Sequence, residues 1–217
     1  MPPAVALLDL YDTLVWSEWS SLRLRMEERL GLPTHRLMDA FAATIRERGT
    51  GAYGSPEGDL RAVLEAAEVE PDADLLVELL AMERDHLETG IHFHEDALPV
   101  LRALRERGVP TALVSNCSHG TRTVVDRLGL EDEMDVVVLS FEARTMKPDP
   151  EIYLEALRRL GAAPEDAVFV DDQVAFIDGA EALGIPSLRI DRDLAEPPTG
   201  VVTSLYALLE PGGPVPR

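Results

Sequence analysis

The sequence is poor in lysine, cysteine and long apolar runs. Lys147 is its only lysine, since all the other basic residues are arginine. The single cysteine, Cys117, permits no disulfide within the chain. No apolar run approaches the ~20 residues needed to cross a membrane. The first residues lack the basic start and small-residue cleavage site of a secretory signal, so we expect a cytoplasmic protein.

Positive charge of any kind is also scarce. The chain has 40 acidic and 20 basic residues, which gives a formal net charge of −20. A negative field of this size repels nucleic acid and anionic lipid, so we expect neither as a partner. An anionic substrate must then be held by local charges. The hydrophobic content of 46% is otherwise typical of a globular protein and excludes a disordered or collagen-like chain.

Short apolar runs alternate with helical patterns along most of the chain. Five runs have the length and composition of buried strands, namely residues 4–8, 110–115, 136–140, 167–171 and 186–190. A helical pattern precedes each of the last four runs, and each pattern ends at a glycine: Gly108, Gly129, Gly161 or Gly184. This alternation predicts an α/β fold, a doubly wound parallel sheet with helices on both faces.

The stretch from about residue 15 to residue 90 differs from the rest. Its apolar residues recur at helical spacing, and it contains no convincing strand. We therefore predict a core domain of residues 1–15 and 91–217 and a small all-helical cap domain of residues 16–90. Such a cap would cover the edge where open α/β sheets bind ligands. Its glycine-rich loop, residues 49–56, is the first candidate for substrate selectivity.

Four polar clusters follow the predicted strands: residues 9–13, 115–116, 147–150 and 171–172. In a doubly wound sheet, these strand ends converge on one crevice. A nucleophilic carboxylate, a hydroxyl, one cation and a pair of acids suit displacement at an electrophile, most simply a phosphoryl group with bound Mg²⁺. The lone Lys147 is either a remnant of arginine-rich codon usage or the sign of a tight pocket, where a compact ammonium fits and a broad guanidinium does not. Its neighbours, residues 148–150, favour the pocket.

In this order, the clusters resemble the motifs of the haloacid dehalogenase superfamily. The matching stretches are residues 8–15, 17–18, 114–116, 147–153, 169–172, 179–180 and 183–185. The resemblance implies a Rossmann-like core with an inserted helical cap, and it would cover nearly the whole chain. It also implies that the protein is a hydrolase.

The resemblance implies a role for each motif residue. Asp9 would be the nucleophile that forms an aspartyl ester, and Thr13 would support its loop. Ser115 and the amide of Asn116 would grip the transferring group. Lys147 would bridge that group to Asp9.

The resemblance also implies a Mg²⁺ site. Asp9, Asp172 and the backbone carbonyl of Tyr11 would hold the ion, and Asp171 would take part as a water-mediated or supporting acid. Mg²⁺ prefers carboxylate, carbonyl and water oxygens, which these residues provide. The ion and an ammonium would screen the repulsion between a carboxylate nucleophile and an anionic phosphoryl group.

Two positions depart from the phosphatases of the superfamily. Tyr11 stands where they carry an aspartate that protonates the leaving group and then activates water. Tyrosine can donate a proton, but its reference pKa of about 10 makes it a poor base at neutral pH. Family dehalogenases carry tyrosine there. Phe176 stands where a further acid or amide usually follows the paired aspartates, and Asp178 falls two places late, so the metal shell lacks one expected ligand.

Three functions remain open at this point. Asp171 and Asp172 favour a Mg²⁺-dependent phosphatase of a small phosphorylated metabolite, because two unneutralised carboxylates would repel a haloacid and its halide. Tyr11 favours a 2-haloacid dehalogenase, as does Tyr153, although Tyr153 also occurs in phosphatases of this group. The third function is a non-catalytic or regulatory protein that binds phosphate. The sequence predicts neither the substrate nor the oligomeric state.

Other reactive side chains receive structural interpretations. His92, His94 and Glu95 lie where the cap returns to the core, and we expect a solvated hinge there rather than a metal site. Cys117 is expected to be a buried, inert thiol. The cap arginines, Arg48 among them, are expected to be mostly solvated, with one or two reaching an anionic substrate.

Overall fold

The computed structural model describes residues 4–210. The predicted core also includes residues 1–3 and 211–217, which lie outside the described part. The strands are β1 (Val5–Leu8), β2 (Val15–Ser17), β3 (Ile91–Phe93), β4 (Thr111–Ser115), β5 (Val136–Leu139), β6 (Ala167–Asp171), β7 (Ser187–Ile190) and β8 (Val201–Val202). The helices are α1 (Trp19–Leu30), α2 (Arg36–Ala43), α3 (Ile45–Gly49), α4 (Pro56–Ala66), α5 (Ala73–Thr89), α6 (Ala97–Glu106), α7 (Thr121–Leu128), α8 (Leu130–Glu133), α9 (Ser140–Ala143), α10 (Pro150–Leu160) and α11 (Val174–Glu181).

Six strands form one parallel sheet in the order β5-β4-β1-β6-β7-β8. Alternate residues of β1 enter different hydrophobic clusters, because successive side chains of a strand point to opposite faces. Ala6 and Leu8 pack with α6 and α7, whereas Val5 and Leu7 pack with α10 and α11. The sheet is thus covered on both faces, and the predicted doubly wound α/β fold is confirmed.

Glycine ends two of the covering helices as predicted. Gly129 follows α7 and Gly161 follows α10, both in the left-handed conformation, with φ of 63° and 68°. A residue without a Cβ adopts this conformation at little cost, and its N–H caps the last carbonyls of the helix.

The five helices α1 to α5 form what we call the helical insert, residues 19–89. They have a hydrophobic cluster of their own, which includes Leu22, Met26, Leu37, Leu64 and Leu79. The insert therefore buries its apolar surface largely within itself. The division of the chain into a core and a cap domain with limits at residues 16 and 90 stays a prediction.

A short antiparallel ribbon joins the insert to the sheet. In it β2 pairs with β3, with Val15 opposite Phe93 and Ser17 opposite Ile91. The expectation of no strand between residues 15 and 90 was wrong at β2, because three residues are too few to show a strand period. The two-residue strand β8 was missed for the same reason. Ser140 begins α9 instead of ending a strand.

No helix in the described range is both long and apolar enough to span a bilayer.

Candidate active site

The carboxyl ends of three neighbouring strands carry the polar residues that the sequence singled out. Asp9 directly follows β1, Ser115 ends β4, and Asp171 ends β6. Because β1 lies between β4 and β6, these residues meet at one edge of the sheet. Lys147 reaches the same edge from the loop that precedes α10.

Lys147 lies in a closed pocket between two carboxylates. Its Nζ lies 2.5 Å from Asp9 Oδ1 and 2.6 Å from Asp171 Oδ2, and its side chain is 0% exposed. The rings of Phe169 and Phe176 lie 5.5 and 5.0 Å from the same Nζ. Burial lowers the pKa of Lys147, but the two carboxylates raise it by a larger amount, and the net shift is upward. The ammonium therefore stays charged. The pocket thus accommodates a compact cation, as the lone lysine suggested.

Three carboxylates crowd together at this edge. One oxygen from each of Asp9, Asp171 and Asp172 can be chosen so that all lie within 4.8 Å of one another. Burial raises the pKa of Asp9, as does the charge of Asp171, while Lys147 opposes the shift. Burial and the Asp171 charge raise the pKa of Asp172 to about 6. The three carboxylates repel one another, and the ammonium of Lys147 offsets this repulsion only in part. Their oxygen atoms suit a hard divalent cation such as Mg²⁺.

The three carboxylates are not equally available as ligands. Asp171 accepts from Lys147 Nζ with one oxygen and from the backbone N–H of Gln173, at 2.8 Å, with the other. Asp172 is half-buried and receives no hydrogen bond from another side chain within residues 4–210. Asp172 and Asp9 are therefore better placed to bind a cation than Asp171, which mainly holds the lysine.

Phe176 occupies the position where a further acid was expected. Its ring covers Lys147, and its carbonyl accepts a hydrogen bond of 2.8 Å from the hydroxyl of Tyr153. Asp178 is exposed on α11. This position therefore contributes a wall of the lysine pocket, and Asp178 does not supply the missing ligand.

Ser115 and Asn116 use their side chains differently. Ser115 is fully buried, and its Oγ has no hydrogen-bond partner among the described residues. The side-chain amide of Asn116 donates to the Lys147 carbonyl at 2.8 Å and accepts from the Lys147 N–H at 2.7 Å. Asn116 therefore fixes the lysine loop. A buried hydroxyl without a partner is unfavourable, so Ser115 is the group that a ligand would satisfy.

The loop that follows Asp9, residues 9–15, is held in a tight turn. The Leu10 carbonyl accepts from the N–H groups of Leu14 and Val15 at 2.8 and 2.9 Å. Asp12 has a φ of 59°, in the left-handed region that aspartate tolerates better than most residues. Thr13 is fully buried inside the turn.

Tyr11 projects from this loop into a cavity. Its hydroxyl lies 3.2 Å from Thr121 Oγ1, so the two groups share a hydrogen bond. Burial raises the pKa of Tyr11 above its ordinary value. The phenol therefore stays protonated, and Tyr11 cannot serve as a general base.

The cavity has a volume of about 490 Å³ and lies between the helical insert and the sheet edge. Tyr11 and Asn116 line its core side. Most of the insert side is apolar, with side chains from α1, α2 and α3: Trp19, Leu22, Met38, Phe41 and Ile45. A pocket with these walls suits a small molecule whose reactive end lies at the sheet edge.

Arg48 supplies the only arginine or lysine side chain among the described residues of the cavity wall. Its Nε donates to Thr44 Oγ1 at 3.0 Å and its Nη2 donates to the Phe41 carbonyl at 2.9 Å. The guanidinium also stacks over the Phe41 ring at 4.7 Å. These contacts fix the cation in place before any ligand arrives.

Residues 3–184 match the family model described as haloacid dehalogenase-like hydrolase. The chain belongs to this family. Glyceraldehyde 3-phosphate phosphatase of Methanopyrus kandleri is 39% identical over 101 residues, which cover 46% of this chain and 43% of that protein. The chain spans about half the length of the curated relatives that it matches.

Solved structures show the same fold over nearly the whole chain. The 2-haloacid dehalogenase from Pseudomonas syringae has a TM-score of 0.69 at 24% identity, with 96% of this chain and 97% of that chain covered. A haloacid dehalogenase family enzyme from Bacteroides thetaiotaomicron, a mutant in complex with magnesium and inorganic phosphate, has a TM-score of 0.69 at 18% identity, with 87% and 94% covered. The solved structures with this fold include enzymes named as phosphatases and enzymes named as dehalogenases.

Two other expectations can be compared with the structure of this family member. Cys117 is buried as expected, and burial raises the pKa of its thiol to about 11, which disfavours the reactive thiolate. His92, His94 and Glu95 are absent from the only group of potential metal ligands found within residues 4–210.

The selectivity loop, residues 49–56, has a different place from the one expected. Only Gly49 of this loop lines the cavity. A Cβ on Gly51 would lie 2.5 Å from the Phe141 carbonyl, which shows how closely the loop packs on the core. The sequence named Arg48 only as one of several cap arginines, and it did not single out Glu83, because charged residues on amphipathic helices usually face solvent.

Proposed function

We propose that this chain is a cytoplasmic, Mg²⁺-dependent phosphatase that hydrolyses a small phosphate ester through an aspartyl phosphate on Asp9. The cluster of Asp9, Asp171 and Asp172, with oxygens within 4.8 Å around one buried lysine, carries the proposal. A site with three acids and one ammonium needs a further cation to accept an anionic substrate. The relative named as a glyceraldehyde 3-phosphate phosphatase supports the phosphate ester.

Each polar group at the sheet edge then has a task. Lys147 holds one oxygen of Asp9, which leaves the other oxygen free to attack phosphorus in line with the leaving group. The unpartnered Ser115 hydroxyl and the backbone N–H of Asn116 donate to phosphoryl oxygens. Mg²⁺, held by Asp9, Asp172 and the Tyr11 carbonyl, supplies charge screening when bound. Asp171 keeps Lys147 charged and in place.

The leaving group occupies the cavity of about 490 Å³. The apolar insert wall contacts its carbon skeleton, and the fixed guanidinium of Arg48 contacts an anionic substituent, such as a carboxylate. The strongly negative chain offers no long-range attraction to such a substrate, so this local cation is needed.

Tyr11 determines which half of the reaction is slow. The protonated phenol can give its proton to the leaving alkoxide in the first step. Hydrolysis of the aspartyl phosphate needs a base for water, which Tyr11 cannot be. Since general base assistance is worth roughly 10²- to 10⁴-fold, the phosphoenzyme should accumulate.

The test is a panel of small phosphate esters and 2-haloacids assayed with Mg²⁺ and with EDTA. We expect phosphate release that EDTA abolishes and added Mg²⁺ restores. Halide release that is indifferent to EDTA would replace the proposal with a dehalogenase. Phosphate binding without turnover of any compound would instead indicate a regulatory phosphate-binding protein.

A dehalogenase is the second candidate, and Tyr11 is the observation that favours it. The variant Tyr11→Asp separates the two by rapid-quench measurement of phosphoenzyme. For a phosphatase, we expect the new carboxylate to activate water, speed phosphate release from the intermediate by about 10²-fold and lower the phosphoenzyme level. If the wild type builds up no phosphoenzyme and Tyr11→Asp slows phosphate release, Tyr11 has a direct role and the dehalogenase is favoured.

A further inference from the structure

Arg192 joins the C-terminal part of the chain to the loop that carries Asp9. It follows β7 and lies beyond residues 3–184, the stretch that matches the family model. Its Nη2 donates to the Thr13 carbonyl at 2.6 Å, across 179 positions of sequence. The Arg192 side chain is only 19% exposed.

Asp96, at the start of α6, holds this guanidinium in a two-point contact. Nη1 and Nη2 of Arg192 each donate to a different oxygen of Asp96 at 3.0 Å. Ser204 Oγ donates to the same carboxylate at 2.6 Å, and the Leu205 N–H donates at 2.8 Å. Burial raises the pKa of Asp96, but these hydrogen bonds outweigh it and lower the pKa overall. The carboxylate is therefore charged and fixed, and so is the arginine.

Within residues 4–210, the Thr13 carbonyl accepts no backbone hydrogen bond. The carbonyls of Leu10 and Val15 accept hydrogen bonds from N–H groups within the loop, and the Leu14 carbonyl accepts from the His94 N–H at 2.9 Å. Thr13 is instead held by Arg192. The same loop carries the Asp9 carboxylate and the Tyr11 carbonyl.

We propose that Arg192, fixed by Asp96, is a positioning residue that sets the geometry of residues 9–13 for attack by Asp9. This inference rests on the proposed function. It assigns a role in the reaction to a segment outside the family match. A shift of the loop by about 1 Å can reduce the rate about 10²-fold, because the attacking oxygen must approach the reacting atom in line.

The matched variants are Arg192→Gln and Ser204→Ala. Arg192→Gln removes the donor to Thr13, whereas Ser204→Ala weakens the same Asp96 network without touching the loop. We expect Arg192→Gln to lower kcat about 10- to 100-fold with KM within about threefold, and Ser204→Ala to keep kcat within about twofold. Arg192→Lys, which cannot donate to Asp96 and Thr13 with the same geometry, should give an intermediate kcat and a fold close to the wild type.

A second readout does not depend on turnover. Mn²⁺ binding, measured from the free-ion signal in electron paramagnetic resonance, should weaken several-fold in Arg192→Gln and stay unchanged in Ser204→Ala, since the loop carries oxygen donors. If Arg192→Gln and Arg192→Lys lower only Tm, while kcat and Mn²⁺ affinity match the wild type, Arg192 has a structural role alone. If the wild type releases no phosphate, the proposed function fails, and the Mn²⁺ measurement still tests the positioning of the loop.

Discussion

The two walls of the cavity are built in opposite ways. On the core side, Tyr11 and Asn116 line the cavity. Beside them, at the ends of packed strands, Lys147 is linked by short hydrogen bonds to Asn116 and to the buried acids Asp9 and Asp171. We call these five residues together the core wall. The insert wall is mostly apolar, and its one cation, Arg48, is fixed by Thr44 and Phe41 of the insert itself. The two walls have separate hydrophobic clusters behind them.

This difference separates chemistry from selectivity. A change on the core wall leaves buried charges without partners, which costs both stability and rate. Under the proposed function, a change on the insert wall alters one contact with the leaving group and leaves the sheet edge intact.

The largest effect is expected from Asp9→Asn on the core wall. The amide keeps the shape of the side chain but lacks the nucleophilic charge, so turnover should fall at least about 10³-fold. Asp178→Asn, which changes an exposed carboxylate on α11, is the control and should match the wild type. An Asp9→Asn enzyme that is folded by circular dichroism and within tenfold of the wild type would remove the covalent mechanism.

Lys147→Arg tests the closed lysine pocket. The guanidinium is too broad for the space between Asp9, Asp171 and the two phenylalanine rings, so we expect Lys147→Arg to lose about as much activity as Lys147→Ala, to within tenfold. Both variants should be assayed at a temperature below their measured Tm. If Lys147→Arg keeps most of the activity, charge alone is sufficient and the pocket does not select lysine.

Arg48→Gln tests the insert wall. With phenyl phosphate and 4-carboxyphenyl phosphate as a matched pair, the variant should raise KM for the carboxylated ester about tenfold, equivalent to about 1.4 kcal/mol of binding, and change the neutral ester little. Arg46→Gln is the control, because Arg46 pairs with Asp149 and does not line the cavity. An equal change of KM for both esters in Arg48→Gln would show that Arg48 does not bind the carboxylate of the leaving group.

The smallest effect concerns Glu83, which lines the cavity from α5. Burial raises the pKa of Glu83 to about 7, although Arg48 opposes the shift. A folded-state pKa above the unfolded value stabilises the protein at low pH, and this stabilisation is lost as the pH rises through about 7. Glu83→Gln should thus leave Tm similar to the wild type near pH 5 and raise it by about 2–4 °C near pH 8. Glu88→Gln, exposed on the same helix, should show no such difference between the two pH values.

The core wall could be predicted from sequence because its signals are local. Buried parallel strands produce apolar runs, and the polar residues that follow them, such as Asp9 and Asp171, lie at one sheet edge for topological reasons. The lone Lys147 added a compositional signal. Its partner carboxylates, Asp9 and Asp171, were among the residues already singled out. The catalytic and metal-binding roles of these residues stay a prediction.

The insert wall and the Arg192 contact could not be predicted in the same way. In the sequence, Arg48 and Glu83 resemble solvated residues of amphipathic helices. Only the tertiary packing of these helices places both side chains on the cavity wall. Arg192 and Thr13 are far apart in sequence, and no short pattern marks their contact. The contact between the Phe176 ring and Lys147 likewise depends on tertiary packing, and no short sequence pattern predicts it.

The ribbon of β2 and β3 has a topological consequence. Ser17 lies opposite Ile91, so the chain leaves the core and returns to it at hydrogen-bonded neighbours. A short turn could connect these two residues, and every strand of the parallel sheet would keep its neighbours. For the folding core, the intervening residues therefore act as one closed loop, and the entropic cost of closing such a loop grows only slowly with its length. The insertion of a folded unit at this ribbon therefore leaves the strand order of the sheet unchanged.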